Sequence, residues 1–194
     1  METMLEQRSF NRNRIHPKKF GLLLGCASII MMFAGLTSAY LVRQSAGNWL
    51  EFQLPVLFGI NTGVMVASSV VLHFAYIGFR RGNEKQYKNL LLLALFMGLA
   101  FLVLQYQGWK ALQAVGVELT TNPSSSFIYV ISGIHAAHVL GGVAALLVAT
   151  MHAFSLPFKV TGARKLRFEL TLIYWHFVDF LWVYLFVFFM IQQY

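Results

Sequence analysis

Five long apolar runs dominate this sequence, and each is long enough to cross a lipid bilayer as a helix. The runs cover about residues 20–43, 54–79, 89–112, 127–154 and 170–191. A membrane-spanning helix needs about 20 mainly apolar residues, so five spans with short connections account for most of the 194 residues. Only 11% of the residues are charged, against about 25% in a typical soluble domain, which is too few to cover a water-exposed surface. The sequence therefore predicts an all-α fold, a polytopic membrane helix bundle with five transmembrane helices.

The positions of the basic residues predict how these helices are oriented. Lysine and arginine form three large groups, within residues 8–19, 80–88 and 159–167, separated by the single residues Arg43 and Lys110. If residues 1–19 form a cytoplasmic basic tail before a bundle at residues 20–194, thirteen of the fifteen basic residues lie on the cytoplasmic side. The positive-inside rule then predicts an N-in, C-out topology. The net charge of +8 is thus a topology signal and a surface for anionic lipids, and we expect no nucleic-acid partner.

Small residues at a spacing of four predict where helices approach closely, because apolar side chains gain nothing by leaving lipid for one another. The fourth predicted helix has four of them in register, Gly133, Ala137, Gly141 and Ala145. We expect this stripe to form a helix-packing seam that faces either a sibling helix or another subunit.

Any chemistry of the chain must lie among the few ionisable side chains at membrane depth. An ionised group at the bilayer centre costs at least ~2.5 to 3.5 kcal/mol, so Asp179 should face a partner or a water-filled cavity. With the fourth and fifth helices antiparallel, Asp179 and His138 lie within about 5 Å of the same depth and can hydrogen-bond if the helices are neighbours. His176 and His135 lie one turn from them, and His73 lies at a depth similar to that of His176. These residues predict a polar layer inside the bundle.

Three interpretations compete for this polar layer. Bis-histidine haem ligation needs two histidines at equal depth on facing helices, and the depths match poorly. A proton relay needs a chain of titratable groups across the membrane, of which one acid and four histidines form only a part. The favoured interpretation is a hydrogen-bonded polar cluster that fixes helix register, to which Asn61, Gln105 and Gln107 contribute by bonding across helices. A small transporter is disfavoured by the short loops and the odd number of helices.

The fifth helix carries the most specific motif. Residues Tyr174–Tyr184 read YWHFVDFLWVY, and residues Ser132–Val139 read SGIHAAHV. The first resembles the last helix of cytochrome c oxidase subunit III, and the second resembles the paired-histidine motif of that family. Shorter matches in the same order are Asn61-Thr62, Ala67-Ser68 and Leu104-Gln105. The resemblance extends from about residue 20 to residue 191.

This resemblance implies a non-catalytic core subunit of a haem-copper oxygen reductase in aerobic respiratory electron transport. Such a subunit binds no haem or copper itself; it packs against catalytic subunit I, in a complex with subunit II and possible further respiratory subunits, and holds structural phospholipids. The resemblance implies no catalytic, metal-binding or cofactor-binding residue in this chain, and a place in the cytoplasmic (inner) membrane of a bacterium. The resemblance also implies a buried structural motif, formed by Asn61, His135, His138, Trp175, His176, Asp179 and Trp182. The alternatives are subunit III of a quinol oxidase, a homologue associated with nitric oxide reductase, and a self-contained haem-binding membrane protein.

The sequence departs from the family pattern in two ways. Longer members have seven helices, and this chain matches the last five, as in the five-helix form. The lipid cleft between the two helix groups is then incomplete, and we expect a neighbouring subunit to supply the missing wall. Many members also place a glutamate within the first helix matched here, and aligning Phe20-Gly21 through Gly35 puts Ile29 at that position. No role of that buried acid is carried over.

Overall fold

The computed structural model describes residues 16–192, and this part of the chain contains five helices and no strand. The helices are α1 Pro17–Ser45, α2 Val56–Arg80, α3 Glu84–Ala114, α4 Pro123–Ser155 and α5 Gly162–Ile191. All five are long and apolar enough to span a membrane. The prediction of an all-helical bundle with five membrane spans is confirmed, whereas residues 1–15 of the predicted tail and residues 193–194 lie outside the described residues.

Helices α3, α4 and α5 begin before their apolar runs because polar caps start them outside the hydrophobic core. The Asn83 side chain accepts a hydrogen bond from the backbone N–H of Gln86 at the start of α3. At the start of α4, Asn122 and Ser125 form a reciprocal capping box, and Thr161 caps α5 in a similar way. Such caps satisfy backbone N–H groups that have no partner within the helix. Hydropathy therefore locates the membrane core of each helix, and side-chain caps determine where α3, α4 and α5 begin.

Four of the helices form a closed ring. Helix α2 packs against α3, α3 against α4, α4 against α5, and α5 against α2. A tight turn at Arg81-Gly82 joins α2 to α3, and Gly82 adopts a φ of 77° that glycine tolerates without steric cost. Of the described elements, α1 packs against α4 and α5 but not against α2 or α3. We refer to α2–α5 as the four-helix ring.

Near its C-terminal end, α1 is held by aromatic and hydroxyl groups. The Tyr40 ring packs edge-on against Phe127 of α4 and Phe188 of α5, with centroid separations of 5.7 and 5.1 Å. One turn before it, the Thr37 hydroxyl lies 3.0 Å from the Tyr184 hydroxyl of α5. These contacts fix the end of α1 over the groove between α4 and α5.

At the other end of α1, an ion pair supplies the attachment. The Lys19 ammonium lies 2.5 Å from Oε2 of Glu169 in α5. The Tyr76 hydroxyl of α2 donates a 2.6 Å hydrogen bond to Oε1 of the same carboxyl group. Glu169 therefore links α1, α2 and α5 near the end of the bundle where α5 begins.

The surface of the bundle is largely apolar. Met31 of α1 is 75% exposed, Val56 of α2 is 80% exposed and Phe180 of α5 is 75% exposed. A water-soluble monomer rarely displays so much continuous apolar surface, whereas lipid tails accommodate it. Ile29 of α1 is partly buried and packs against the core.

Candidate functional site

Trp175 of α5 fills the centre of the four-helix ring. The side chain is fully buried, and its indole N–H donates a 3.0 Å hydrogen bond to the Ser68 hydroxyl of α2. Its ring lies against two glycines: a Cβ added at Gly98 of α3 would lie 2.7 Å from Cη2, and one at Gly142 of α4 would lie 2.9 Å from Cε3. One side chain therefore contacts the other three helices of the ring, and the two glycines provide the space for it.

Trp182, two turns further along α5, repeats this pattern at another depth. Its indole N–H donates a 3.0 Å hydrogen bond to the Thr62 hydroxyl of α2. The indole stacks on His135 of α4 with ring centroids 4.9 Å apart and on Phe58 of α2 at 6.2 Å. Phe101 of α3 meets it edge-on at 5.2 Å. The two tryptophans thus join α5 to α2 by matched indole-to-hydroxyl bonds and fix the register of these antiparallel helices.

A side-chain amide pair lies between α2 and α3. Asn61 Nδ2 donates a 2.9 Å hydrogen bond to Gln105 Oε1, and both residues are buried. This confirms the prediction that these two residues bond across helices, whereas Gln107, the third amide considered, is exposed on α3. Within residues 16–192, the Asn61 Oδ1 and Gln105 Nε2 atoms have no hydrogen-bond partner.

The paired histidines occupy different environments. His135 is fully buried among the rings of Phe33, Phe101 and Trp182, and the described residues offer neither ring nitrogen a hydrogen-bond partner. His138 is half-buried, and its Nδ1 donates a 2.8 Å hydrogen bond to the Ile134 carbonyl one turn earlier. His135 therefore acts as an aromatic element of the core, and His138 lies where α1 covers α4.

Asp179 and His176 lie on the other side of α5, toward α2. His176 Nδ1 is 2.7 Å from the Ser69 hydroxyl, and Asp179 lines the same surface depression as these two residues. The His73 ring lies 5.7 Å from the His176 ring. The hydrogen bond considered between Asp179 and His138 is not formed, because Asp179 lies beside Ser69 and His73 of α2, whereas His138 of α4 lies against Phe33 of α1. Depth was therefore predicted correctly for His73 and His176, but the predicted polar residues do not form a single layer inside the bundle.

The predicted small-residue stripe of α4 lies mainly on the outside of this chain. Ala137 and Gly141 are exposed, while Gly133 and Ala145 are partly exposed. A Cβ added at Gly141 would come within 3.7 Å of the Tyr174 hydroxyl, and one at Gly133 would meet no heavy atom within 4 Å among the described residues. The buried glycine of α4 is instead Gly142, one residue away from the stripe.

Sequence reasoning missed the small residues that accommodate Trp175. Gly98 stands four residues after Ala94, a pair shorter than the stripe of α4, and Gly142 stands next to the α4 stripe rather than in it. The available signal was a tryptophan in the middle of an apolar helix, since a buried indole N–H requires an acceptor and its ring requires a small neighbour. Ser68 and Thr62 stand in stretches that the family resemblance had marked.

The clustered polar and aromatic groups are arranged for packing. Trp175, Trp182, Asn61 and His135 bring side chains from all four ring helices into contact. Within residues 16–192, no group of three or more His, Cys, Asp or Glu side chains is placed to hold a metal ion. The arrangement that the structure does show is an interlocking of helices through tryptophans and hydroxyl groups.

Comparison with known proteins gives a consistent result. The family model described as cytochrome c oxidase subunit III matches residues 47–194, a segment that includes the whole four-helix ring and leaves out α1. A probable cytochrome c oxidase subunit 3 from Nocardia farcinica is 30% identical over 94% of this chain and 91% of its own length. The cytochrome c oxidase subunit 3 of a Synechocystis species is 30% identical over 89% of this chain and 75% of its own. A probable cytochrome c oxidase subunit 3 from Mycobacterium tuberculosis is 29% identical over 95% and 92%, respectively.

Proposed function

Because the chain belongs to the cytochrome c oxidase subunit III family, we propose that it serves as the non-catalytic third subunit of a bacterial cytochrome c oxidase. In this role it lies in the cytoplasmic membrane with an N-in, C-out topology, packs against the haem- and copper-bearing subunit I, stabilises that subunit and holds structural phospholipids. Oxygen reduction takes place in the partner subunits, and this chain supports their assembly and durability.

The observation that carries this proposal is that the motif residues Trp175, Trp182 and His135 are buried in contacts between helices. Trp175 and Trp182 are both fully buried, and each donates its indole N–H to a hydroxyl group of α2. His135 is equally buried and packs against Trp182. Side chains engaged in this way hold helices together and are not displayed to a substrate, which is what a structural subunit requires.

A second groove between α4 and α5, at the end of the bundle where α5 begins and lined by no residue of α1, supports the lipid part of the proposal. It has a volume of about 620 Å³, and its walls include Ala145 and Val148 of α4 and Leu170 of α5. Arg164 and Arg167 also line it, near the end of the bundle where α5 begins. Basic pockets between membrane helices bind anionic lipid head groups, and guanidinium groups bind phosphate in a bidentate manner. The groove therefore suits a phospholipid whose phosphate lies at the arginines and whose acyl chain lies along the alanine-rich face of α4.

Purification in a mild detergent tests the subunit assignment. The affinity-tagged chain, expressed in its native host, should co-purify with a haem-containing subunit, detected by the absorption spectrum of the complex and by oxygen consumption with reduced cytochrome c. The chain separated from that complex should show no haem absorption. If the tagged chain purifies in folded form without any haem-containing partner, the proposal is refuted.

Native mass spectrometry of the complex tests the lipid site. We expect Arg164→Gln/Arg167→Gln to lose bound anionic phospholipid relative to the unsubstituted chain. Arg80→Gln/Arg81→Gln is the matched control, because it removes two exposed arginines at the same end of the bundle but outside the groove. Equal lipid retention in both variants would remove the groove as a phospholipid site.

A further inference from the structure

A group of ionisable side chains faces outward at membrane depth on the seam between α2 and α5. His73 is exposed, and His176 and Asp179 are half-buried. Together with Ser69 they line a depression of about 350 Å³ whose rim is formed by Val66, Val70 and Phe74. Asp179 lies at least ~18 Å from either end of α5 at 1.5 Å per residue. We refer to Ser69, His73, His176 and Asp179 as the seam cluster.

Within the part of the chain that the structure describes, the seam cluster lacks a full set of hydrogen-bond partners. Ser69 bonds His176 at 2.7 Å, but Asp179 Oδ1 has no hydrogen-bond partner within residues 16–192. The remaining helix, α1, does not cover the seam, since it packs against α4 and α5 and, in the described range, not against α2. The neighbouring side chains that are exposed, Val70 at 50% and Phe74 at 51%, are apolar.

Exposing these ionisable side chains to lipid tails is energetically unfavourable. Ionisable residues within membrane spans face the interior of a bundle or a polar cavity and pair with other polar groups, because hydrocarbon offers no hydrogen bonds. An exposed histidine beside an incompletely bonded carboxyl group therefore indicates that another polar surface covers this seam. A lipid acyl chain would fill the depression but would offer no hydrogen bond to the exposed His73 imidazole or to Oδ1 of Asp179.

We propose that the α2–α5 seam is the surface on which a transmembrane helix of the haem-containing oxidase subunit docks. This inference rests on the proposed function and names the surface through which that function operates. The docking helix carries a hydrogen-bond donor at mid-membrane depth, which bonds the His73 imidazole or the Asp179 carboxyl group. Its apolar side chains pack on Val66, Val70 and Phe74. Polar groups that bond across helices give such a contact its register.

Photo-crosslinking in the intact complex tests the location of the contact. A photoreactive amino acid is introduced at Val70, on the rim of the depression, and separately at Val103, which is 56% exposed on α3. We expect the Val70 position to crosslink to the haem-containing oxidase subunit, identified by mass spectrometry, and the Val103 position to crosslink far less. Crosslinks from Val70 only to lipid or to a second copy of this chain would overturn the inference, as would equal crosslinking from both positions.

A pair of polar-to-apolar substitutions tests the chemistry of the contact. His73→Leu should reduce co-purification of the haem-containing subunit about three- to tenfold, the range expected from losing one interhelical hydrogen bond in a membrane. Gln107→Leu makes an equivalent change on the exposed face of α3 and should leave co-purification unaltered. Both positions are exposed, so each variant should retain the helix content of the parent chain by circular dichroism.

The outcomes separate this inference from the proposed function. If the unsubstituted chain brings down no haem-containing subunit, the proposed function and this inference both fail. If the haem-containing complex forms equally well with His73→Leu and with Gln107→Leu, only the docking surface is wrong and the assignment as a subunit remains.

Discussion

Replacing Gly98 with alanine would push a methyl group against the ring of Trp175. The new Cβ would lie 2.7 Å from Cη2 and 3.1 Å from Cζ2 of that ring, whereas carbon atoms pack best at about 3.5 to 4.0 Å. The contact must therefore open by about 1 Å. The indole has little freedom to move, because its other edge lies against Gly142 and its N–H is bonded to Ser68 at 3.0 Å.

The expected cost follows from two opposing effects. Overpacking a tight core costs about 1 to 3 kcal/mol, and the better helix propensity of alanine returns up to about 1 kcal/mol. A net destabilisation of about 1 to 2 kcal/mol, at roughly 2 to 4 °C per kcal/mol for a chain of this size, lowers Tm by roughly 2 to 8 °C. The measurement is thermal denaturation of the detergent-solubilised protein, followed as loss of the monodisperse peak in size-exclusion chromatography.

Two controls make the result specific to Trp175. Gly63→Ala introduces the same methyl group into α2 at a position where, among the described residues, a Cβ meets no heavy atom within 4 Å, so its Tm should stay the same or rise. In a Trp175→Phe background the smaller ring leaves space, and adding Gly98→Ala should cost less than it does beside the tryptophan. Equal Tm values for Gly98→Ala and Gly63→Ala would refute the steric reasoning.

Three further predictions follow from the polar contacts. Asn61→Leu or Gln105→Leu alone should cost about 1 to 3 kcal/mol by leaving a buried amide without its partner, while the double variant should cost less than the sum of the two; thermal denaturation of the four proteins measures this, and strict additivity contradicts it. Asp179→Ala should reduce the amount of assembled oxidase more than the turnover per haem, measured by oxygen consumption of the purified complex; a fully assembled complex that no longer reduces oxygen is the contrary result. Glu169→Gln should lower Tm by an amount equivalent to about 1 kcal/mol or less, because the Lys19–Glu169 pair is partly exposed, and the difference should shrink as NaCl is raised; a difference unaffected by salt would show that the ion pair is not its source.

The sequence was sufficient to predict how many helices there are and at what depth their residues lie. Hydropathy gives the apolar length of each span, and a rise of 1.5 Å per residue converts sequence position into depth. The similar depth predicted for His73 and His176 agrees with their ring contact, and the prediction that Asn61 and Gln105 bond across helices agrees with their hydrogen bond. Such predictions use the depth of a residue in the membrane and the order of the helices along the chain.

The rotation of each helix about its axis was not accessible from the sequence. Asp179 and His138 lie at similar depths, yet one turns toward α2 and the other lies beneath α1. The buried glycine of α4 lies beside the small-residue stripe and not in it, since moving one residue from Gly141 to Gly142 turns the direction of a side chain by about 100° around the helix. In water, the apolar face of a helix reveals its inward direction, but in lipid both faces are apolar and this signal is weak.

The packing of α1 on the last two helices sets an order of events during synthesis. The partner of Thr37 is Tyr184, a residue translated much later, and Tyr40 contacts Phe127 and Phe188. At about 5 to 20 residues per second, α1 exists for on the order of ten seconds before its contact surfaces emerge from the ribosome. During that interval its buried hydroxyl groups face lipid or the insertion machinery, while α2 and α3 can already pair as a hairpin. Helix α1 can therefore pack in its final position only after the C-terminal half of the chain has been synthesised.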